Sequence, residues 1–476
     1  MLRHLFILTL FIPAVLFAQT PCEEGFAGIY PCDKVDLLYH FPMDSIGDSI
    51  SLNDSWGWEF EGRTFALVGR FSGTSFIEIT EPLHPIYLGN LPAYDASSNW
   101  RDIKVYEDHA FVVSESNEQG IQVFDLTQLL DVENPPIEFV ETAHYDLFGS
   151  AHNIAINEDS GYAYGLGTNT FEGSLHIVNI QDPINPEIAG GYNGSYIHDA
   201  QVVNYAGPDA DYSGHEIAFA CCESFIEIID VEDKLDVVSI ATSSYSDSDY
   251  VHQGWLTEDQ RFFVVNDEGD EIEFGNATRT HIFDVQDLDS PQYLGFYESE
   301  KYATDHNLYV KGDSIYQANN LSGLQILRSN NMAELDIEEV AFFDTEAELD
   351  SAGYGGAWNA YPFYSNGLIT VTSKYNGFFI LELQASVDTT ETVVEEDFYN
   401  RADLNIYPNP ASGWVFVETD TRTNHEEPVV INSVGQFVEN ITMHFESGKW
   451  QLNFNHLPSG IYVIRFQNQQ GRVVIN

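Results

Sequence analysis

The run Ile121-Gln-Val-Phe-Asp-Leu126 returns as Leu175-His-Ile-Val-Asn-Ile180, Ile226-Glu-Ile-Ile-Asp-Val231 and Thr280-His-Ile-Phe-Asp-Val285. Looser copies are Phe76-Ile-Glu-Ile-Thr80, Leu324-Gln-Ile-Leu-Arg328 and Phe378-Phe-Ile-Leu-Glu-Leu383, which makes seven. The pattern is an apolar residue, any residue, two mostly apolar residues, an acid or amide, then another apolar residue. The copies are β-branched and aromatic, and most run into a turn such as Asp182-Pro-Ile-Asn-Pro186, so they read as strands. Two strand-like runs precede each copy, as in Asn153-Ile-Ala-Ile156 and Tyr162-Ala-Tyr-Gly165, and a shorter one follows, as in Glu187-Ile-Ala-Gly190. Each unit therefore has four strands. The units open at Trp56, Asp102, His152, His198, His252, His306 and Trp358, at spacings of 46 to 54 residues. That period suits propeller blades, and the apolar period of two excludes helical solenoids. The expected fold is all-β, a seven-bladed β-propeller.

The ends of the chain suggest how such a ring closes. The last unit supplies strands at Asn359 to Tyr364, Leu368 to Ser373 and Phe378 to Leu383, then enters acidic, Thr-rich sequence without an outer strand. Val35-Asp-Leu-Leu-Tyr-His-Phe41 lies before the first unit and is expected to supply it, since an unpaired edge would otherwise remain. The propeller is thus assigned to 19–384, with 35–41 closing the last blade. Residues 385–403 read as an acidic linker. Residues 404–476 alternate again, with glycines at turns, and read as a small C-terminal β-sandwich.

Lys and Arg number 18 against 75 Asp and Glu, a net charge of −57 over 476 residues. Such a field repels polyanions, so no nucleic-acid partner bound through phosphates is expected. Arg3 and His4 followed by the apolar run Leu5 to Phe17 and a small-residue context at Ala18 read as a signal peptide over 1–18. No later segment is apolar enough for a transmembrane helix after signal cleavage. In an exported chain the close pair Cys22 and Cys32 is expected to form a disulfide. Adjacent Cys221 and Cys222 read as two small buried thiols or as a strained vicinal pair.

The strand motif resembles the LVIVD repeat of secreted bacterial propellers called choice-of-anchor B proteins, over about residues 22–385. The C-terminal part resembles a type IX secretion sorting domain. Asn405-Ile-Tyr-Pro-Asn-Pro410 (Tyr407, Pro408, Asn409, Pro410), Ser433-Val-Gly-Gln-Phe437 and Leu457-Pro-Ser-Gly-Ile-Tyr462 (with Gly460) match its pattern in order. The resemblance implies handling by the type IX secretion machinery, removal of this domain, and a protein released or attached at the outer cell surface.

Residues opening the inner strands are expected to ring one mouth of the channel: Trp56, Arg101, Asp102, His152, Asn153, His198, Asp199, His252, Gln253, His306, Asn307, Trp358 and Asn359. The four histidines have three readings. They anchor adjacent blades by hydrogen bonds, which the reuse of one position in repeated units favours, they line a polar ligand-binding mouth, or their imidazoles converge on a transition metal. The acidic run Asn266 to Glu273, with Asp267 and Asp270, offers oxygen ligands to Ca²⁺ but lacks EF-hand spacing, and reads first as a solvated loop, as charge runs usually do. No GxSxG, HExxH, Walker or dinucleotide motif is present. The expected function is binding or adhesion toward an unidentified protein or glycan. The alternative is a metal-assisted lyase or hydrolase using the His-lined mouth.

Overall fold

A computed structural model of the protein describes residues 19–47, 50–346 and 351–384, and from the C-terminal part 402–403, 405–408, 411, 413–418, 428–431, 438, 441–446, 449–455, 457, 460–466 and 469–475. The signal peptide, nearly all of the acidic linker, and Asn409 and Pro410 lie outside the described residues. The chain divides into two units, Met1–Ala385 and Ser386–Asn476.

Among the described residues the first unit holds seven sheets, mostly four-stranded and antiparallel. Every copy of the repeated motif lies on the third strand of its sheet, for example Ile121–Asp125, His176–Asn179 and Ile226–Asp230. The two adjacent apolar residues in the motif have a physical reason. Successive side chains of a strand point to opposite faces, and both faces here are covered by neighbouring sheets. Val123 and Val178 share one core, Ile177 and Ile229 the next, Ile228 and Phe283 the next, then Ile282 with Leu327 and Ile326 with Phe379. Ile380 of the last sheet and Phe76 of the first meet in a common core with Phe124 of the second. The acid or amide that follows has a separate task. Oδ1 of Asp125, Asn179, Asp230 and Asp284 accepts from the backbone N–H two residues on, at 2.9–3.0 Å, which starts the turn to the fourth strand.

The opening strands are Leu52–Phe60, Arg101–Tyr106, Asn153–Asn157, Asp199–Asn204, Val251–Leu256, Asn307–Lys311 and Ala357–Tyr361. Each touches the next in this order, and Ala357–Tyr361 also touches Leu52–Phe60. Val35–Phe41 runs antiparallel to Gly377–Leu383 as the fourth strand of the last sheet. Two sheets exceed four strands. Ile137–Glu138 adds in parallel to Ile86–Pro92, and Tyr30–Asp33 with Phe26–Ala27 extends the sixth sheet from Asp336–Phe343. A disulfide joins Cys22 to Cys32, so this N-terminal hairpin is held together covalently. Cys221 and Cys222 are unbonded and buried.

The second unit contains two four-stranded sheets whose inward residues, among them Val415, Trp450, Leu452, Tyr462, Ile464 and Val473, form one core. No helix among the described residues is long and apolar enough to cross a membrane.

Candidate functional site

The N-terminal ends of the opening strands converge on a cavity of about 30 Å³. Its lining includes Arg101, Asp102, His152, Asn153, His198, Asp199, His252, His306, Asn307 and Trp358, together with Asp54, Lys104 and Tyr309. Three residues expected at this mouth are elsewhere. Trp56 projects from the far half of its strand into a different pocket. Gln253 and Asn359 point between sheets: Gln253 Oε1 accepts from Leu308 N–H at 2.8 Å, and Asn359 Nδ2 donates to Asp54 Oδ1 at 2.6 Å. Alternation along a strand explains the error, because one member of each polar pair faces the neighbouring sheet.

The same work occupies part of the lining. Asp54 accepts from Ile103 N–H at 3.0 Å and Asp102 from Ile154 N–H at 3.2 Å, each reaching from one sheet to the next. Lys104, the cation among these carboxylates, lies 3.8 Å from Asp54 and donates to Asp102. Asp199 accepts from Asn153 at 2.7 Å, and its burial pushes the carboxyl up to about 7. Arg101 is fully buried, only its Nε meeting an acceptor, Arg70 O at 3.3 Å, and burial brings its guanidinium down to about 10.

The histidines form a staircase. Ring centroids are 4.1 Å apart from His152 to His198, 4.2 Å to His252 and 4.3 Å to His306. Nδ1 of His198 donates to His252 O at 2.9 Å, Nδ1 of His252 to His306 O at 3.1 Å, and Nδ1 of His306 to Trp358 O at 2.6 Å. A carbonyl only accepts, so each of these Nδ1 atoms carries the proton, and in the neutral ring Nε2 is left as a lone-pair donor. Burial holds His198 and His252 well below the usual imidazole range and His306 at about 3, so all three are neutral at physiological pH. His152 differs. Its Nδ1 meets Glu115 Oε1 at 2.6 Å near the surface.

The acidic run is not a solvated loop. Asp270–Phe274 forms a short helix in which Asp270 and Glu271 are 1% and 2% exposed. Asp267 accepts from Tyr245 Oη at 2.7 Å and from the N–H groups of Asp249 and Tyr250, so it serves to close this corner. Burial pushes Glu271 up to about 9, with Asp270 beside it adding to the rise. The residue of this run that reaches the mouth is Glu268, which sequence reasoning did not single out. Its Oε2 lies 3.6 Å from His252 Nε2 and its Oε1 3.6 Å from His306 Nε2. Burial pushes its carboxyl up to about 8, against the pull of Lys374.

At the opposite end, the C-terminal halves of the opening strands surround a pocket of about 390 Å³. Trp56, Trp255, Tyr361 and Phe363 give it aromatic walls, and Asn157, Glu158, Gln201 and Gln260 add polar groups. Lys104 Nζ lies 4.7 Å from the Trp56 ring centroid, between the two cavities. The repeat pattern did not mark this pocket, because its aromatic residues come from single units.

Residues 405–476 match the family described as "Secretion system C-terminal sorting domain". The chain carries a secretion sorting domain. This sorting domain makes the protein a secreted one, handled by the type IX machinery and of a class often attached to the cell surface. Tyr407 of its Tyr-Pro-Asn-Pro run lies in the strand Asn405–Tyr407, Pro408 follows directly, and Gly460 opens the strand Gly460–Phe466. No curated protein matches the chain. Among solved structures, similarity is found to a Kuenenia stuttgartiensis hydrazine synthase at TM-score 0.47 and 11% identity, covering 68% of this chain and 93% of that one. A protein from Lactobacillus plantarum gives 0.47 and 11%, covering 68% and 89%. PorZ of Porphyromonas gingivalis, described as an essential surface component of the type IX secretion system, gives 0.46 and 11%, covering 92% of this chain and 60% of that one. Likeness at this level says nothing about what the protein binds.

Proposed function

We propose that the sorting domain, a small β-sandwich, delivers to the cell surface a seven-bladed β-propeller of the LVIVD, choice-of-anchor B type, and that this propeller is a binding module for a glycan. The cyclic contacts of seven opening strands and the pairing of Val35–Phe41 into the last sheet support the propeller. One observation carries the binding role: the 390 Å³ pocket with four aromatic walls. Its size suits a small ligand. A sugar ring offers a C–H face that packs on an aromatic ring and hydroxyls that bond to amides such as those of Gln201 and Gln260. The net charge of −57 favours a neutral sugar over an acidic one. The other mouth, at about 30 Å³, has room for water but not for a sugar. That volume also weighs against the alternative of a metal-assisted lyase or hydrolase there.

The test is a glycan array probed with the secreted chain, followed by calorimetry on the hits. Binding is expected to fall at least about tenfold in Trp255→Ala, since a buried stacking face contributes more than about 1.4 kcal/mol. His198→Gln should bind normally. No hit among neutral glycans, or hits unaffected by Trp255→Ala, would refute the reading.

A further inference from the structure

We infer that His252, His306 and Glu268 form a binding site for one divalent transition-metal ion of the zinc class, separate from the glycan pocket. One donor atom from each of His252, His306 and Glu268 lies within 4.8 Å of the other two, and the Nε2 atoms of the two histidines are each 3.6 Å from a Glu268 carboxylate oxygen. The imidazole protons are accounted for. Nδ1 of each imidazole is committed to a backbone carbonyl, His252 to His306 O and His306 to Trp358 O, so each Nε2 presents a lone pair. Each of those lone pairs faces one oxygen of the same carboxylate at 3.6 Å, beyond hydrogen-bond reach. The space between them is filled either by a proton carried on the Glu268 carboxyl or by a metal ion that displaces that proton on binding.

The chemistry of the set selects the cation. Two imidazoles and one carboxylate suit zinc and its first-row neighbours, whereas Ca²⁺ and Mg²⁺ prefer oxygen alone. Ligand bonds of about 2.0–2.2 Å place two ligands of a tetrahedral zinc about 3.4 Å apart, close to the 3.6 Å separations seen here. The carbonyl bonds to Nδ1 orient the rings as metal-bound histidines require. His198 shares the staircase geometry, but no Glu268 oxygen approaches it, and His152 turns to Glu115, so neither joins the set. Lys374 is the competing counter-charge for Glu268, but no ion pair within 4.0 Å joins them.

The experiment uses the full chain purified without a metal-affinity step, treated with chelator, and titrated with Zn²⁺ by calorimetry and with Co²⁺ by absorption. One equivalent is expected to bind, with visible Co²⁺ bands. Glu268→Gln keeps the side-chain size, so its metal-free melt should be unchanged while Zn²⁺ affinity falls at least about 100-fold. His152→Gln should bind as the wild type does. Absence of stoichiometric binding by the wild-type chain would overturn the site. So would binding retained in Glu268→Gln or lost in His152→Gln.

Discussion

Nδ1 of His252 donates to the backbone carbonyl of His306 at 3.1 Å, across 54 residues and from one sheet to the next. His198 makes the equivalent bond to His252, and His306 to Trp358. Repeated histidines therefore tie four consecutive sheets together at one end of their opening strands, and two of them, His252 and His306, also lie 3.6 Å from the Glu268 carboxyl.

The staircase should be measurable as stability. His198→Ala removes a buried donor and leaves the His252 carbonyl unpaired, at an expected cost of about 1–3 kcal/mol. His152→Ala loses a contact to the partly exposed Glu115 and the ring packing on His198 but no bond to a buried carbonyl, and should cost less than about 1 kcal/mol. Thermal or urea melts of the two variants check this. Equal costs would mean that the carbonyl bonds are not what matters.

Deleting residues 19–41 should destabilise the first unit by several kcal/mol, because it strips Val35–Phe41 from Gly377–Leu383 and bares a strand edge. A lower melting temperature and new proteolytic cleavage near 377–383 are expected. An unchanged melt would show that the last sheet stands without its fourth strand.

Asp199 makes stability depend on pH. Its carboxyl titrates at 3.8 ordinarily and at about 7 in the fold, through burial. The folded state thus holds a proton that the unfolded chain releases. The contribution is complete below about pH 4 and is lost as pH rises through about 7, on the order of a few kcal/mol. Asp199→Asn should flatten the decline in melting temperature between pH 5 and 8. A slope identical to wild type would contradict this assignment.

Removing 404–476 should leave the first unit folded, because each unit has its own core. The truncated protein should remain in the periplasm. Cell fractionation with a proteolysis-resistance assay decides it, and surface delivery of the truncated chain would count against the role of the sorting domain.

Local pattern made much of the fold legible. The motif of Ile121–Asp125 and its copies identifies third strands because burial on both faces forces two adjacent apolar residues, and the Asp or Asn after them marks a turn whatever surrounds it. The sorting domain was legible for a similar reason, since its turns and strands recur in order over a short stretch. The site was only half legible. Repetition marked His198, His252 and His306, but it also marked Gln253 and Asn359, which serve the joints between sheets. Repeats report shared architecture, and a side chain used once leaves no period to detect.

Glu268 shows what lay beyond the sequence. It is one of five acidic residues from Asp267 to Glu273, and only the turn that follows Phe262–Asp267 aims it, rather than Asp267 or Asp270, at two imidazoles. Trp56, Trp255, Tyr361 and Phe363 likewise meet only because the opening strands converge. Sequence alone determined the strands, their repetition and the destination, because those depend on neighbours along the chain. Which side chains face a common space was decided by the tertiary structure, because distances between residues 50 to 300 positions apart are set by how the sheets pack.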